Sequence, residues 1–207
     1  MTDTYKLVPA NKQNTSTWSG GTTTELAIYP PGANYSKRDF AWRLSTAVVT
    51  APESTFTALP DWHRVLMVLS GQMHLNHSGH HQVTLSPFEQ DSFSGSWLTK
   101  CAGTGQDYNL MLAEGWQGRL QALHLETSGS ILLRSLPNST EAFYCLCGGA
   151  QVSLPGTNEL LVISGDFLLV KPNQLSRCTE IRAIQPTRLI RASIWQRTNQ
   201  VTYYQKC

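Results

Sequence analysis

Charge is scarce in this chain: only 14% of its 207 residues are charged, against 41% apolar, and the formal net charge is +2. This is a globular composition with a weakly charged surface, not the apolar-poor, highly charged composition of a disordered segment. No run of Lys or Arg exceeds two residues. A phosphate backbone would find no basic stripe here, so nucleic acid is excluded as an expected partner.

Long apolar runs are missing too. No stretch reaches the eighteen or so residues a membrane-spanning helix needs, so a membrane is not expected as a partner either. The opening residues Met1 to Pro9 lack the basic-then-apolar order of a secretory leader. The five cysteines (Cys101, Cys145, Cys147, Cys178, Cys207) are odd in number and contain no Cys-x-x-Cys pair. Such usage fits a reduced, cytoplasmic protein without a disulfide frame or zinc knuckle. Cys145 and Cys147 alternate along one apolar run and are expected on one strand face as small buried hydrophobes.

Helical periodicity is almost absent. The chain instead offers short β-branched and aromatic runs, including Ala41 to Thr50, His63 to Leu75, Asp107 to Ala113, Glu141 to Leu154 and Thr187 to Gln196, punctuated by Gly, Pro, Asn and Asp. Many short strands at regular spacing predict an all-β sandwich or barrel. A weak internal repeat sharpens this. Leu66 to Leu75 around Gly71 and Phe143 to Val152 around Gly148 are each an apolar strand, a glycine turn and a second apolar strand, 77 residues apart. One barrel-sized unit used twice accounts for the order. The expected division is residues 1–118 as the N-terminal barrel, which would hold the ligand site, and 119–207 as a degenerate second barrel. Leu189 to Trp195 would close the second barrel, and Thr198 to Cys207 would form a loosely held tail.

The stretch Tyr144-Cys-Leu-Cys-Gly148, followed by Leu161-Val-Ile-Ser-Gly-Asp166-Phe-Leu-Leu-Val-Lys-Pro172, resembles the strand and turn pattern of cupins. Cupin enzymes usually carry two histidines and a glutamate ahead of the Leu-x-Gly turn. Counted back from Gly71, the glutamate's place is held here by Arg64, and the histidine places fall near Ala58 and Pro60. No metal-ligand set stands there, and Glu141 in the second unit has no histidine beside it, whereas a metal site needs three or four protein ligands. A fixed cation in the metal's place calls for an anion. Strand parity puts Arg43, Ser45 and Ala47 on one face, Arg64 with Leu66 and Val68, and Asp107 with Asn109 and Met111.

A string of motifs narrows the resemblance. Trp18-Ser-Gly-Gly-Thr-Thr-Thr-Glu25, Asp39-Phe-Ala-Trp-Arg43-Leu-Ser45-Thr-Ala47, Arg64 ahead of Leu69-Ser-Gly71, Phe93-Ser-Gly95 and Asp107-Tyr-Asn109-Leu-Met111 are similar, in order, to the signatures of the HutD/Ves family. The resemblance implies a bicupin, two jelly-roll-like β-barrels from an internal duplication, without metal or other cofactor. It further implies formylglutamate or a similar acid as ligand and a regulatory role in histidine utilisation. The ligand chemistry agrees. Formylglutamate has two carboxylates, which Arg43 and Arg64 can each take bidentately, and a formamide, which Asn109 can match. Thr22, Thr23 and Ser45 offer hydroxyls, Trp18 can close the mouth, and Asp107 and Glu25 complete the set.

Blander readings stand beside these. Arg43, Arg64 and Asp107 also suit a satisfied internal ion-pair network, with Glu25 only a counter-charge. Gly20 to Thr24 also suits an ordinary loop, and it is no phosphate loop, because no Lys and no helix follow. The cluster His74-Leu-Asn-His77-Ser-Gly79-His80-His81 reads as an exposed polar hairpin with its tip at Ser78-Gly79. His63 and His124 have no carboxylate or nucleophile at readable spacing. Two other functions stay open: a metal-independent isomerase or amide hydrolase using Asp107 and Glu25 as acid and base, and a ligand-free structural or stress-response module. Self-association as a homodimer is also left open.

Overall fold

A computed structural model describes residues 4–174 and 177–197. The expected tail Thr198 to Cys207 lies outside the described residues. Among the described residues, nineteen strands and two three-residue 3-10 turns make up the regular structure, numbered here in chain order. No helix among them is long and apolar enough to cross a membrane.

The strands form two sandwiches. The first faces a six-stranded sheet, ordered β2 (Asn14–Trp18), β3 (Gly21–Tyr29), β4 (Trp42–Val49), β11 (Gly105–Ala113), β6 (Trp62–Gly71), β9 (Gln90–Ser94), against a four-stranded one. The latter runs β5 (Glu53–Thr55), β10 (Thr99–Ala102), β7 (Met73–His77), β8 (Gln82–Leu85). The second sandwich has a five-stranded sheet, β1 (Tyr5–Val8), β17 (Phe167–Val170), β14 (Thr140–Cys147), β19 (Thr187–Gln196), β12 (Trp116–Leu125). Opposite it lies β13 (Ser130–Arg134), β18 (Cys178–Ala183), β15 (Gly149–Ser153), β16 (Leu160–Ile163). The order β4-β11-β6-β9 matches β12-β19-β14-β17, so the duplication read from the two glycine turns is written into the hydrogen-bond ladders.

Pairing carries one strand across the division expected from sequence. β1 runs antiparallel to β17, from Tyr5 opposite Val170 to Val8 opposite Phe167, in the sheet of the second sandwich. It covers an edge that would otherwise present unpaired backbone groups. The Asp166 carboxylate holds the following residues by accepting from the Ala10 amide at 3.1 Å. β12, for its part, begins at Trp116, so the expected 118/119 boundary falls inside a strand.

Three apolar clusters explain the strand sequences. Leu66, Val68, Met73, Leu75 and Phe93 fill the first sandwich; Phe143, Cys145, Val152, Leu168 and Ile181 fill the second. Between them, Trp42, Leu44, Tyr108 and Leu110 pack on Leu120, Ala142, Tyr144 and Ile190. A strand buried on both faces needs a continuous apolar run rather than an alternating one, and Val65 to Leu69 is such a run. One expectation fails here. Cys145 is buried but Cys147 is exposed, because the ladder shifts by one residue between them and breaks the alternation.

The two turn glycines are required by geometry. Gly71 and Gly148 have φ of +76° and +86°, and an added Cβ would meet the carbonyl oxygen of Thr104 at 2.2 Å and that of Pro186 at 2.3 Å. We expect Gly71→Ala and Gly148→Ala each to lose about 1–3 kcal/mol from the backbone conformation alone, read by chemical denaturation. Losses well below 1 kcal/mol would show that the turns relax freely.

Candidate functional site

The first sandwich encloses a cavity of about 240 Å³. Three strands of its six-stranded sheet supply the polar wall. Arg43 and Ser45 come from β4, Arg64 from β6, and Asp107 and Asn109 from β11. Alternation puts these side chains inward and sends Trp42, Leu44, Tyr108 and Leu110 to the other barrel. Register brings them level, since Met111 of β11 stands opposite both Arg43 and Arg64.

The two arginines are in different electrostatic states. Arg43 Nε donates to Glu25 Oε2 at 2.8 Å and Nη1 donates to Ser45 Oγ at 3.1 Å, while its Cζ lies 4.4 Å from the centre of the Tyr35 ring. Its charge is compensated. Arg64, 6% exposed, has no carboxylate within ion-pair distance among the described residues. Its Nε and Nη2 reach a single neutral acceptor, Asn109 Oδ1, at 3.4 and 3.3 Å, long for charge-assisted bonds. The rings of Phe56 and Phe93 lie 4.7 and 5.3 Å from its Cζ. Burial pushes this guanidinium down to about 10, which leaves it charged at neutral pH.

Asp107 is the acid of the pocket. Burial raises its carboxyl to about 7, and the nearby positive charge of Arg64 and a hydrogen bond with Asn109 offset that only in part. Its Oδ1 is buried without a hydrogen-bond partner, as is Trp18 Nε1 at the same cavity. One acceptor and one donor thus remain unmatched around the wall.

The second sandwich supplies an internal control. The 77-residue offset that relates Gly71 to Gly148 also relates Arg64 to Glu141, on the matching strand. Glu141 is 3% exposed and fully engaged. Its Oε2 accepts from Arg191 Nε at 2.8 Å and Ser193 Oγ at 2.7 Å, its Oε1 from Ser139 Oγ at 2.9 Å. Arg191 Nη2 donates in turn to the Arg134 carbonyl at 3.0 Å. One barrel neutralises its buried charge internally; the other leaves a cation facing a cavity.

The HutD family model matches residues 10–186. The chain belongs to the HutD family. The conserved protein of unknown function PA5104 from Pseudomonas aeruginosa PAO1 superposes with a TM-score of 0.82 at 24% identity, over 93% of this chain and 99% of that one. HutD from Pseudomonas fluorescens SBW25 gives 0.72 at 22% identity, over 94% and 100%. The bacterial pirin YhhW from Escherichia coli, in complex with nickel(II), gives 0.68 at 11% identity, over 94% and 100%. At these identities the structural likeness carries the cupin fold alone.

Within this member of the HutD family, the site residues named from sequence divide by position. Trp18, Thr23, Arg43, Ser45, Arg64, Asp107 and Asn109 line the cavity. Thr22 does not: it stands opposite the exposed Val48 on the outer face, as parity from Thr23 requires. Glu25 is not a lining residue either and engages the site through Arg43. Tyr35, Thr55, Phe56 and Thr57 also line the cavity. They sit on a 3-10 turn and around a three-residue edge strand, and such segments carry no periodicity to announce them. The histidine cluster differs from its expected form as well. His77 is 1% exposed and lies inside, with its Nε2 2.8 Å from Asp91 Oδ2, because the hairpin folds back on β9.

Proposed function

We propose that this HutD-family protein binds a small carboxylate of the formylglutamate type in its N-terminal barrel, with Arg64 as the anion receptor, and that binding serves a regulatory role in histidine utilisation. The observation that carries this reading is the buried guanidinium of Arg64 at a cavity wall, with no carboxylate within ion-pair distance among the described residues. The lining contains one carboxylate and no imidazole or thiolate, so its donor set suits an anion rather than a metal. Its volume of about 240 Å³ is below the roughly 300–1,000 Å³ typical of sites for drug-sized ligands, as a small metabolite requires. The ligand carboxylate would accept from Arg64, Asn109 would meet the formamide, and the Trp18 indole would donate to a remaining oxygen. Arg43, already paired with Glu25, would orient the wall rather than take the first carboxylate.

Titration calorimetry with formylglutamate, glutamate and glutarate tests the reading. Saturable binding of formylglutamate at micromolar concentration is expected, and no heat from any of the acids would end the proposal. NMR of formylglutamate incubated with the protein for a day is expected to leave its signals unchanged; turnover would favour an enzyme instead.

A pH dependence follows from Asp107, whose carboxyl titrates at about 7. An incoming anion repels ionised Asp107 and favours its protonated form, so binding takes up a proton above that pH. Affinity should be flat below pH 6 and fall between pH 7 and 9, by up to tenfold per pH unit. Asp107→Asn should bind with a flat profile. An unchanged slope in that variant would place the titration elsewhere.

A further inference from the structure

We propose that the β7–β8 hairpin and β9 form a site for a divalent transition-metal ion, held by His77, His81 and Asp91. Two imidazole nitrogens converge on one carboxylate oxygen: His77 Nε2 and His81 Nε2 lie 2.8 and 3.0 Å from Asp91 Oδ2. All three donor atoms lie within 4.8 Å of one another. A metal bonded at about 2.0–2.2 Å spaces neighbouring donors by roughly 3–3.5 Å, so small side-chain shifts would seat the ion.

The surroundings prepare this set for an ion. His77 Nδ1 lies 2.8 Å from Thr99 Oγ1, a hydroxyl that can accept from the ring while turning its own proton toward the Trp97 carbonyl at 3.4 Å. That bond fixes the ring and leaves Nε2 as the ligating atom, the outer-shell arrangement of metal-bound histidines. On binding, a proton held on a ring nitrogen facing Asp91 passes to solvent. His81 is exposed and opens the site to solvent, whereas the His77 side chain is closed off.

This site is separate from the carboxylate cavity. Phe93 stands between the two, its ring centre 4.4 Å from that of His77 and 5.3 Å from Arg64 Cζ. None of the three ligands lines the cavity. Two imidazoles and one carboxylate favour Zn²⁺, Ni²⁺ or Cu²⁺ over Mg²⁺ or Ca²⁺, which prefer all-oxygen shells. With three protein ligands, at least one coordination position stays open to solvent.

Calorimetry on tag-free, chelator-treated protein tests the assignment with Zn²⁺ and Ni²⁺, and Mg²⁺ as the comparison. One Zn²⁺ per chain is expected, with no heat from Mg²⁺. His81→Gln and Asp91→Asn should each weaken Zn²⁺ binding at least tenfold. His74→Gln and His80→Gln should change it less than twofold, although His80 lies in the same hairpin with its ring 3.8 Å from that of Trp97. Because His81 is exposed, its replacement leaves the packing intact, and circular dichroism checks this for each variant. Absent Zn²⁺ binding, binding that survives both ligand substitutions, or an equal loss in His80→Gln would each overturn the proposal.

Discussion

Arg64→Met should remove carboxylate binding while leaving the protein as stable as before, or more so. A guanidinium that takes a carboxylate through two charge-assisted bonds contributes roughly 1.5–3 kcal/mol with each. Their joint loss corresponds to at least a hundredfold in affinity. Stability should move the other way. Arg64 is removed from water, and its described partners are two long bonds to one amide oxygen and two aromatic rings. A methionine of similar length keeps the packing on Phe56 and Phe93 without the desolvation cost. Burial raises the Asp107 carboxyl to about 7 and Arg64 opposes that rise, so removing the guanidinium raises it further and leaves Asp107 protonated at neutral pH. Calorimetric titration and denaturant midpoints on one variant separate the two effects. A structural arginine would give the opposite pattern, with stability lost.

Glu141→Ala in the second barrel should do what Arg64→Met does not. Arg191 would then be left buried with only the Arg134 carbonyl and nearby hydroxyls, and an uncompensated buried charge costs about 3–5 kcal/mol. The paired replacement Glu141→Leu with Arg191→Met removes both charges and should recover most of that loss, since buried ion pairs seldom outperform apolar residues of similar volume. Binding of the carboxylate in the first barrel should be unchanged in any folded variant. Denaturation curves check this, and a loss under 1 kcal/mol for Glu141→Ala would show that solvent reaches Arg191. Taken together, the two substitutions at one repeat position distinguish a charge kept for function from one kept in a closed network.

Much of this was legible in the chain before folding. The glycine turns at Gly71 and Gly148 and the period-two faces of Arg43/Ser45/Ala47 and Asp107/Asn109/Met111 follow from local chemistry, and the fold places these residues as alternation dictates. What sequence left undecided depended on non-local pairing. The bond between Glu25 and Arg43 requires the β3–β4 ladder and its bulge between Glu25 and Ala27. The convergence of His81 and Asp91 on His77 requires a hairpin to fold back over another strand. Parity failed where the ladder shifted, at Cys147, and no local pattern announced the N-terminal strand that seals the edge of the distant sheet. In each case a bulge or a long-range pairing overrode the local pattern.

The most direct test is a crystal structure of the protein grown with formylglutamate. Two oxygens of one ligand carboxylate are expected within about 3 Å of the Arg64 guanidinium nitrogens, with Asn109 on the formamide. Ligand density elsewhere, or Arg64 turned out of the cavity into solvent, would contradict the account.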